Sequence, residues 1–194
     1  MGKIKEAINL LLEGLSEDFG LDITDPNFSD TPDRVERAYQ EIFGGLLITN
    51  EEINKILSSA FPANGYDSLV LEPHIKTYSM CPHHLLPVEY DVTIAYLPNI
   101  EHGKYLGVSK LVRIAEIYAR MPLLQEAYTY KIANTISEAI LPDGVAVIVN
   151  GVHFCMRMRG VKNNTSVITS AMLGDFRESS KLQTELFELI KINK

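Results

Sequence analysis

The first regular hydrophobic pattern lies at the N-terminus, where apolar residues recur at helical spacing between charged ones. They are Ile4, Ile8, Leu11, Leu12, Leu15 and Phe19. This spacing predicts an amphipathic helix. A second helix is predicted from Pro32 to about Phe43, because Thr31 can act as its N-cap and Gly44-Gly45 ends the pattern. A shorter third helix is predicted to begin near Asn50.

The pattern becomes β-type after about residue 69. Segments 69–79 and 89–97 are rich in β-branched and aromatic residues and partly alternate, so both are predicted as strands. Helical spacing returns at 109–118, 123–140 and 180–192. Segment 145–159 predicts a long strand that a bulge or turn interrupts near Asn150-Gly151. Helices followed by strands with two intervening helices indicate an α+β fold.

Length and composition indicate one globular domain of 194 residues. Its expected parts are a helical N-terminal part (1–65), an α+β core (66–178) and a C-terminal helix (179–194). No apolar run approaches the roughly 18 residues that span a bilayer and no secretory leader is evident, so we expect a cytoplasmic protein without a membrane partner. A net charge of −7 without a long basic run argues against nucleic acid as a partner.

Both cysteines and three of the five histidines lie in two short clusters, Cys81-Pro82-His83-His84 and His153-Phe154-Cys155. The spacing of Cys81 and His84 lets both reach one tetrahedral ion, and strand periodicity places His153 and Cys155 on a common face. Three ligands plus water form a catalytic zinc site, and four form a closed structural one. The residues alone leave both open, together with a metal-free site, a disulfide and a Cys–His nucleophilic pair.

Basic residues follow the second cluster. Arg157 and Arg159 continue the period-two face of His153 and Cys155, so the metal face is predicted to be cationic. For Arg157, a half-exposed strand position explains the pattern equally well. Arg159, which precedes Gly160, is predicted to bind phosphate.

Another anion site is predicted where a helix begins at Ser109. Free amides at a helix start attract phosphate, and Lys110 and Arg113 share a helical face. Further along, Gln125-Glu126 offers a carboxylate that can accept two parallel hydrogen bonds from the N–H groups of a guanine edge. Taken alone, Glu126 is typical of a helix surface.

Together these residues resemble GTP cyclohydrolase I, the family that opens the guanine ring of GTP on the route to pterins and folate. The similarity runs from Thr31 to Phe176 with agreeing order and spacing. It is carried by Thr31-Pro32-Asp33-Arg34-Val35, Ser79-Met80-Cys81-Pro82-His83-His84-Leu85-Leu86-Pro87, Ala95-Tyr96-Leu97-Pro98-Asn99, Leu106-Gly107-Val108-Ser109-Lys110-Leu111, Gln125-Glu126, His153-Phe154-Cys155-Met156, Arg159-Gly160-Val161 and Thr169-Ser170-Ala171-Met172.

The resemblance implies a role for each matching residue. Zinc would be held by Cys81, His84 and Cys155, and protons would be moved by His83 and His153. The guanine would be held by Glu126, Gln125 and the backbone around Leu106 to Val108. The triphosphate would be held by Ser109, Lys110, Arg113, Arg159 and Arg34.

The resemblance also implies an antiparallel sheet with helices packed on one face, the tunnelling-fold type. Subunits would form homo-oligomeric rings, typically a decamer built from pentameric rings, with active sites between subunits. Several positions depart from the family pattern. They are Pro82 in place of a glutamate, Val88-Glu89-Tyr90 in place of an aromatic and glycine-containing stretch, Met121-Pro122 in place of basic residues, and Ala127-Tyr128 in place of Arg-Leu.

The resulting hypothesis is that His153 or His83 protonates N7 of GTP while a zinc-activated water attacks C8. The products would be formate and 7,8-dihydroneopterin triphosphate. One alternative is a diverged zinc hydrolase that acts on another purine nucleotide or stops at the formamide intermediate. Another is a catalytically silent protein that binds nucleotide.

Overall fold

The computed structural model describes residues 2–62, 65–101 and 103–192. The chain forms two compact units, one ending at Gly44 and the other beginning at Gly45. The boundary therefore falls within the glycine pair that the sequence predicts as the end of the second helix. The single domain predicted from the sequence stays a prediction.

The N-terminal unit is a pair of helices, α1 (Lys3–Phe19) and α2 (Thr31–Ile42). Lys5 Nζ donates to Asp33 Oδ1 over 2.6 Å and links the two helices. Both predicted helices are confirmed. Thr31 is the first residue of α2, and the N-cap position is Asp30, whose side chain makes no capping hydrogen bond. The prediction that Thr31 is the N-cap is therefore wrong by one residue.

The second unit is built on a four-stranded antiparallel sheet with strand order β2-β3-β5-β6. These strands are β2 (Val70–Met80), β3 (Pro87–Leu97), β5 (Gly144–His153) and β6 (Val167–Gly174). A separate two-stranded ribbon pairs β1 (Ala60–Pro62) with β4 (Lys104–Leu106). Strands β2 and β3 are confirmed to within a residue or two, whereas β1, β4 and β6 were not predicted. Strand β6 was missed because its central residues are small and polar, which hides the alternation.

The predicted long strand over 145–159 is wrong in two respects. Strand β5 pairs with β3 without interruption through Asn150 and Gly151, which lie opposite Asp91 and Tyr90. It then ends at His153, and the chain enters a single helical turn, α6 (Phe154–Arg157). Because the backbone turns helical after His153, the predicted common face of His153, Cys155, Arg157 and Arg159 does not exist.

Helices cover both faces of the sheet. Helices α4 (Val108–Ala119) and α5 (Gln125–Ile140) pack on the face that carries Ile94 and Val147, and α3 (Asn50–Leu57) packs beside them. Helix α3 begins with a capping box between Thr49 and Glu52. The α+β class is confirmed.

The opposite face carries the alternate strand residues. There, Ala95 and Ala146 pack against Phe176 of α7 (Asp175–Glu178) and Leu186 of α8 (Ser180–Ile192). The alanines on this face let the C-terminal helix approach the sheet closely. The family resemblance implies helices on one face of the sheet only, and the structure has them on both. None of the helices that the structure describes combines the length and hydrophobicity needed to cross a bilayer.

Candidate functional site

The two Cys/His clusters meet at one end of the sheet. Cys81 follows β2 directly and opens a tight turn into β3, in which Cys81 N donates to Leu86 O and Leu85 N donates to Cys81 O. Cys155 lies in α6, directly after β5. Since β3 and β5 are antiparallel and Val88 pairs with His153, the start of β3 and the end of β5 lie side by side. The sheet register therefore brings together two segments that are more than seventy residues apart.

The ligand atoms of Cys81, His84 and Cys155 all lie within 4.8 Å of one another. Cys81 Sγ is 3.8 Å from Cys155 Sγ and 3.7 Å from His84 Nδ1. On a tetrahedral zinc with bonds of about 2.3 Å to sulfur and about 2.0 Å to nitrogen, the corresponding separations are about 3.8 and 3.5 Å. The three residues therefore fit a zinc ion. The two sulfurs are also much farther apart than the roughly 2.05 Å of a disulfide bond.

The electrostatics of the two thiols agree with a cation site. Burial raises the pKa of the Cys155 thiol, and the adjacent Cys81 sulfur raises it further. Only a nearby positive charge would offset both effects and favour the thiolate of Cys155. A bound dication supplies that charge, and its binding would release the thiol protons.

Two histidines adjoin this group without belonging to it. Among the residues that the structure describes, the only cluster with metal-binding geometry is the Cys81, His84 and Cys155 group. His83 is exposed, and its Nδ1 lies 4.0 Å from Cys81 Sγ. His153 is half-buried, and its Nε2 lies 2.9 Å from Gln125 Oε1. Both imidazoles therefore lie beside the Cys81, His84 and Cys155 group.

Burial lowers the pKa of His153, while the negative charge of Glu126 acts in the opposite direction. A lowered pKa makes the protonated imidazole a stronger acid and leaves more of it neutral near pH 7. Both properties suit a residue that gives a proton and then takes one back.

Glu126 and Gln125, which begin α5, have different environments. Glu126 is exposed and borders a groove of about 300 Å³ along β6 and α5, which Tyr130 and Arg177 also line. Gln125 is buried, and its amide contacts β5, β6 and His153. The structure thus leaves the carboxylate open to a ligand and encloses the amide.

The predicted anion-binding residues lie in three places. Helix α4 begins at Val108, one residue earlier than predicted, with Ser109 and Arg113 exposed. Arg159 is exposed after α6, and its positive charge is close enough to act on Cys155. None of Arg113, Arg159 and Lys110 forms an ion pair within the described ranges.

The remaining predicted residues have partners within their own units. Arg34 is in the N-terminal unit, where its guanidinium lies 3.3 Å from Asp30. Leu106 is buried, and its N–H donates to the Tyr96 hydroxyl over 3.2 Å. The guanidinium carbon of Arg157 lies over the Phe154 ring, 5.8 Å from its centroid. This packing agrees with the alternative that Arg157 is a half-exposed structural residue.

Sequence reasoning assigned no role at the site to Tyr90. Its ring is 6.3 Å from that of His153 in an edge-on arrangement and stacks on Tyr128 at 4.8 Å. Burial raises the pKa of the Tyr90 phenol, so it stays protonated. The strand alternation that buries Val88 and Val92 places Tyr90 on the same face, and this was the available signal.

Comparison with known proteins identifies the family. The family model described as GTP cyclohydrolase I matches residues 4–191. GTP cyclohydrolase 1 from Thermoanaerobacter pseudethanolicus is 42% identical over 193 residues, covering 99% of this chain and 97% of the relative. The Clostridium perfringens protein of that name is 42% identical and covers 98% and 97%, and the Sinorhizobium fredii protein is 39% identical and covers 96% and 87%. With matches that span almost the entire sequence, the chain belongs to the GTP cyclohydrolase I family.

Proposed function

We propose that this protein hydrolyses the guanine ring of GTP to give formate and 7,8-dihydroneopterin triphosphate. The observation that carries this proposal is that the ligand atoms of Cys81, His84 and Cys155 lie within 4.8 Å of one another, as around one zinc ion, beside two histidines outside the ligand set. Three protein ligands leave a fourth position open, which is the arrangement of a catalytic site rather than a structural one. The family membership agrees with this activity.

The geometry supports a separate role for each of these residues. Cys81, His84 and Cys155 would hold zinc, which when bound supplies a Lewis acid and lowers the pKa of a coordinated water. His153 or His83 would donate a proton to N7 of the purine, which makes C8 electrophilic toward water. The same residue would take the proton that the attacking water loses and pass it to N9 as the C8–N9 bond breaks, and it would recover the C8 hydroxyl proton as the formyl carbonyl forms. A second water would release C8 as formate, and ring closure to the pterin needs no further metal chemistry.

Recognition of GTP is proposed to divide between the two ends of the substrate. Glu126, exposed at the start of α5, would accept hydrogen bonds from the guanine, and the backbone at Leu106 and Val108 would also contact the base. Gln125 is left out of this contact, because its buried amide already bonds to β5, β6 and His153. The triphosphate would be held by Ser109, Lys110, Arg113 and Arg159, whereas the role of Arg34, which lies in the N-terminal unit and pairs with Asp30, stays a prediction. Cationic side chains suit this role because phosphate oxygens accept several charged hydrogen bonds at once.

Assembly into homo-oligomeric rings of five or ten subunits is also proposed. The support is that β2 and β6 are the outer strands of the sheet, so within the described part of the chain each has one unpaired edge. Unpaired strand edges favour pairing with another chain. The cytoplasmic location stays a prediction.

The function is tested by incubating zinc-loaded protein with GTP and measuring formate together with the fluorescent pterin formed after oxidation. We expect both products in equal amounts. Consumption of GTP to a formamidopyrimidine, with neither formate nor pterin, would favour the hydrolase that stops at the formamide stage. Unchanged GTP, with zinc and nucleotide bound, would favour the catalytically silent protein and contradict the proposal.

Replacing Glu126 by glutamine tests the guanine contact. We expect kcat/KM for GTP to fall roughly 10- to 100-fold, because charged hydrogen bonds are worth about 1.5–3 kcal/mol each and the amide accepts them less strongly. The effect should be much smaller for inosine triphosphate, whose base lacks the exocyclic amino group. Steady-state kinetics with both nucleotides measure this difference.

Glu185→Gln, the same change at an exposed position of α8, is the matched control and should leave both rates unchanged. An equal loss of activity with both nucleotides in Glu126→Gln would show that the carboxylate does not read the amino group.

A further inference from the structure

The amide of Gln125 is held from three directions in the interior. The residue is only 3% exposed. Its Nε2 lies 3.1 Å from Val149 O in β5, 2.8 Å from Val167 O in β6 and 3.2 Å from Thr169 Oγ1. Its Oε1 lies 2.9 Å from His153 Nε2. The amide group therefore joins two strands to the imidazole beside the metal ligands.

These contacts fix which way the amide points. Carbonyl oxygens only accept hydrogen bonds, so the group facing Val149 O and Val167 O must be the NH₂ of Gln125. The reversed orientation would place Oε1 against both carbonyl oxygens and lose both bonds. Oε1 must then face His153. Because an amide oxygen also only accepts, His153 Nε2 must carry a hydrogen and donate it.

We propose that Gln125 is a positioning residue that fixes the tautomer of His153, with Nε2 protonated and Nδ1 as the nitrogen that exchanges a proton with the substrate. This inference rests on the proposed function of His153 as a proton-transfer residue. In the protonated ring, Nδ1–H would pass its proton to N7 of the purine and keep the electron pair. The Nε2–H bond to Gln125 stays intact throughout. Gln125 thus acts through His153 and not by binding guanine.

The space for this amide depends on Gly151, which is buried in β5 opposite Tyr90. A Cβ at position 151 would overlap Gln125 Oε1 and would lie 3.0 Å from Tyr90 Cε1. The tyrosine ring is packed between Tyr128 and His153, whereas the end of a glutamine side chain can rotate. An alanine at 151 should therefore displace the amide from His153 while leaving the glutamine in the chain.

The first test replaces Gln125 by methionine, which has similar length and no hydrogen-bonding amide. We expect kcat to fall about 10- to 100-fold, a typical effect of losing the partner that orients a site histidine. KM and zinc content should stay within about twofold of wild type, since a positioning residue contributes neither to GTP binding nor to the metal. A guanine-binding residue would instead raise KM, and that result would overturn the inference.

The second test is a double-mutant cycle with His153→Ala. If Gln125 acts through His153, adding Gln125→Met to His153→Ala should lower single-turnover formate release no further. GTP affinity, measured by equilibrium dialysis, should also be the same with and without the second substitution. Weaker GTP binding on adding Gln125→Met in the His153→Ala protein would show direct contact with the nucleotide and would overturn the proposal.

Gly151→Ala provides an independent variant for the case that Gln125→Met does not fold. It should lower kcat with little change in KM. The matched control is Gly14→Ala in α1, where an added Cβ meets no atom within 4 Å, and its activity should equal that of wild type. If folded Gly151→Ala protein keeps the wild-type kcat, the tautomer proposal is wrong. Absence of formate from the wild-type protein would be a failure of the proposed function instead.

Discussion

Cys155→Ala is expected to lose zinc on dialysis and to release formate from GTP at least about a thousandfold more slowly than wild type. Cys81 Sγ and His84 Nδ1 would remain 3.7 Å apart, but two ligands bind zinc far less tightly than three. The bound metal contributes several kcal/mol to a hydrolytic transition state, and about 4 kcal/mol corresponds to the expected factor. Metal analysis of dialysed protein and the formate assay measure the two effects.

The control for this variant is Met158→Ala, which removes another sulfur-containing side chain from the same segment at a position that is 60% exposed. It should retain both zinc and activity. Wild-type zinc content in Cys155→Ala would contradict the assigned ligand set. Zinc loss with full activity would contradict a catalytic role for the metal. The cluster would then serve to stabilise the fold and not to carry out the reaction.

The second large effect is expected from His153→Ala, with kcat lower by about 10²- to 10⁴-fold, the range for removal of a general acid. Zinc content should be unchanged, because His153 lies outside the group formed by Cys81, His84 and Cys155. Its Nε2 is instead engaged with Gln125. Steady-state kinetics combined with metal analysis separate the loss of proton transfer from the loss of the ion.

His74→Asn is a suitable control because it removes a histidine from another part of the sheet. His74 Nδ1 contacts Asp91, and its φ of 58° is one that asparagine tolerates better than most residues. This variant should keep full activity. Zinc loss in His153→Ala would point to the closed site with two cysteines and two histidines that the sequence left open.

The tyrosines explain two of the departures from the family pattern. Tyr90 and Tyr128, which lie in different departing stretches of the sequence, stack on each other with ring centroids 4.8 Å apart. The Tyr128 hydroxyl donates to Ala115 O over 3.0 Å and also lies 3.1 Å from Thr77 Oγ1. The two positions therefore form one packed unit behind His153.

The proline at position 82 is compatible with the turn in which it lies. The hydrogen bonds that close this turn on Cys81 O come from the N–H groups of His84 and Leu85. A proline at 82 therefore leaves both in place, although it has no N–H of its own. The metal-ligand turn keeps its form despite the departure.

The sequence predicted the helices and the central strands well, because their hydrophobic periodicity extends over many residues. It failed at β6 and at the end of β5. In β6, Thr169 and Ser170 interrupt the apolar pattern, and Thr169 contacts Gln125 and Thr129 of α5. Beyond His153, apolar and polar residues continue to alternate with period two, as in a strand, although the backbone there is helical. Short elements of this kind are set by tertiary contacts that no local pattern records.

By itself, the sequence predicted the residues with the chemistry, which are two cysteines and adjacent histidines in two clusters and a helix start with basic side chains; the guanine role of Glu126 came only from the family resemblance. These could be identified because metal ligands and proton carriers come from few residue types at characteristic spacings. Only the tertiary structure decided that Cys81 and Cys155 come within 3.8 Å, through the pairing of β3 with β5. It alone showed that Gln125 contacts His153, because hydrogen bonds between residues distant in sequence depend on strand register and side-chain packing.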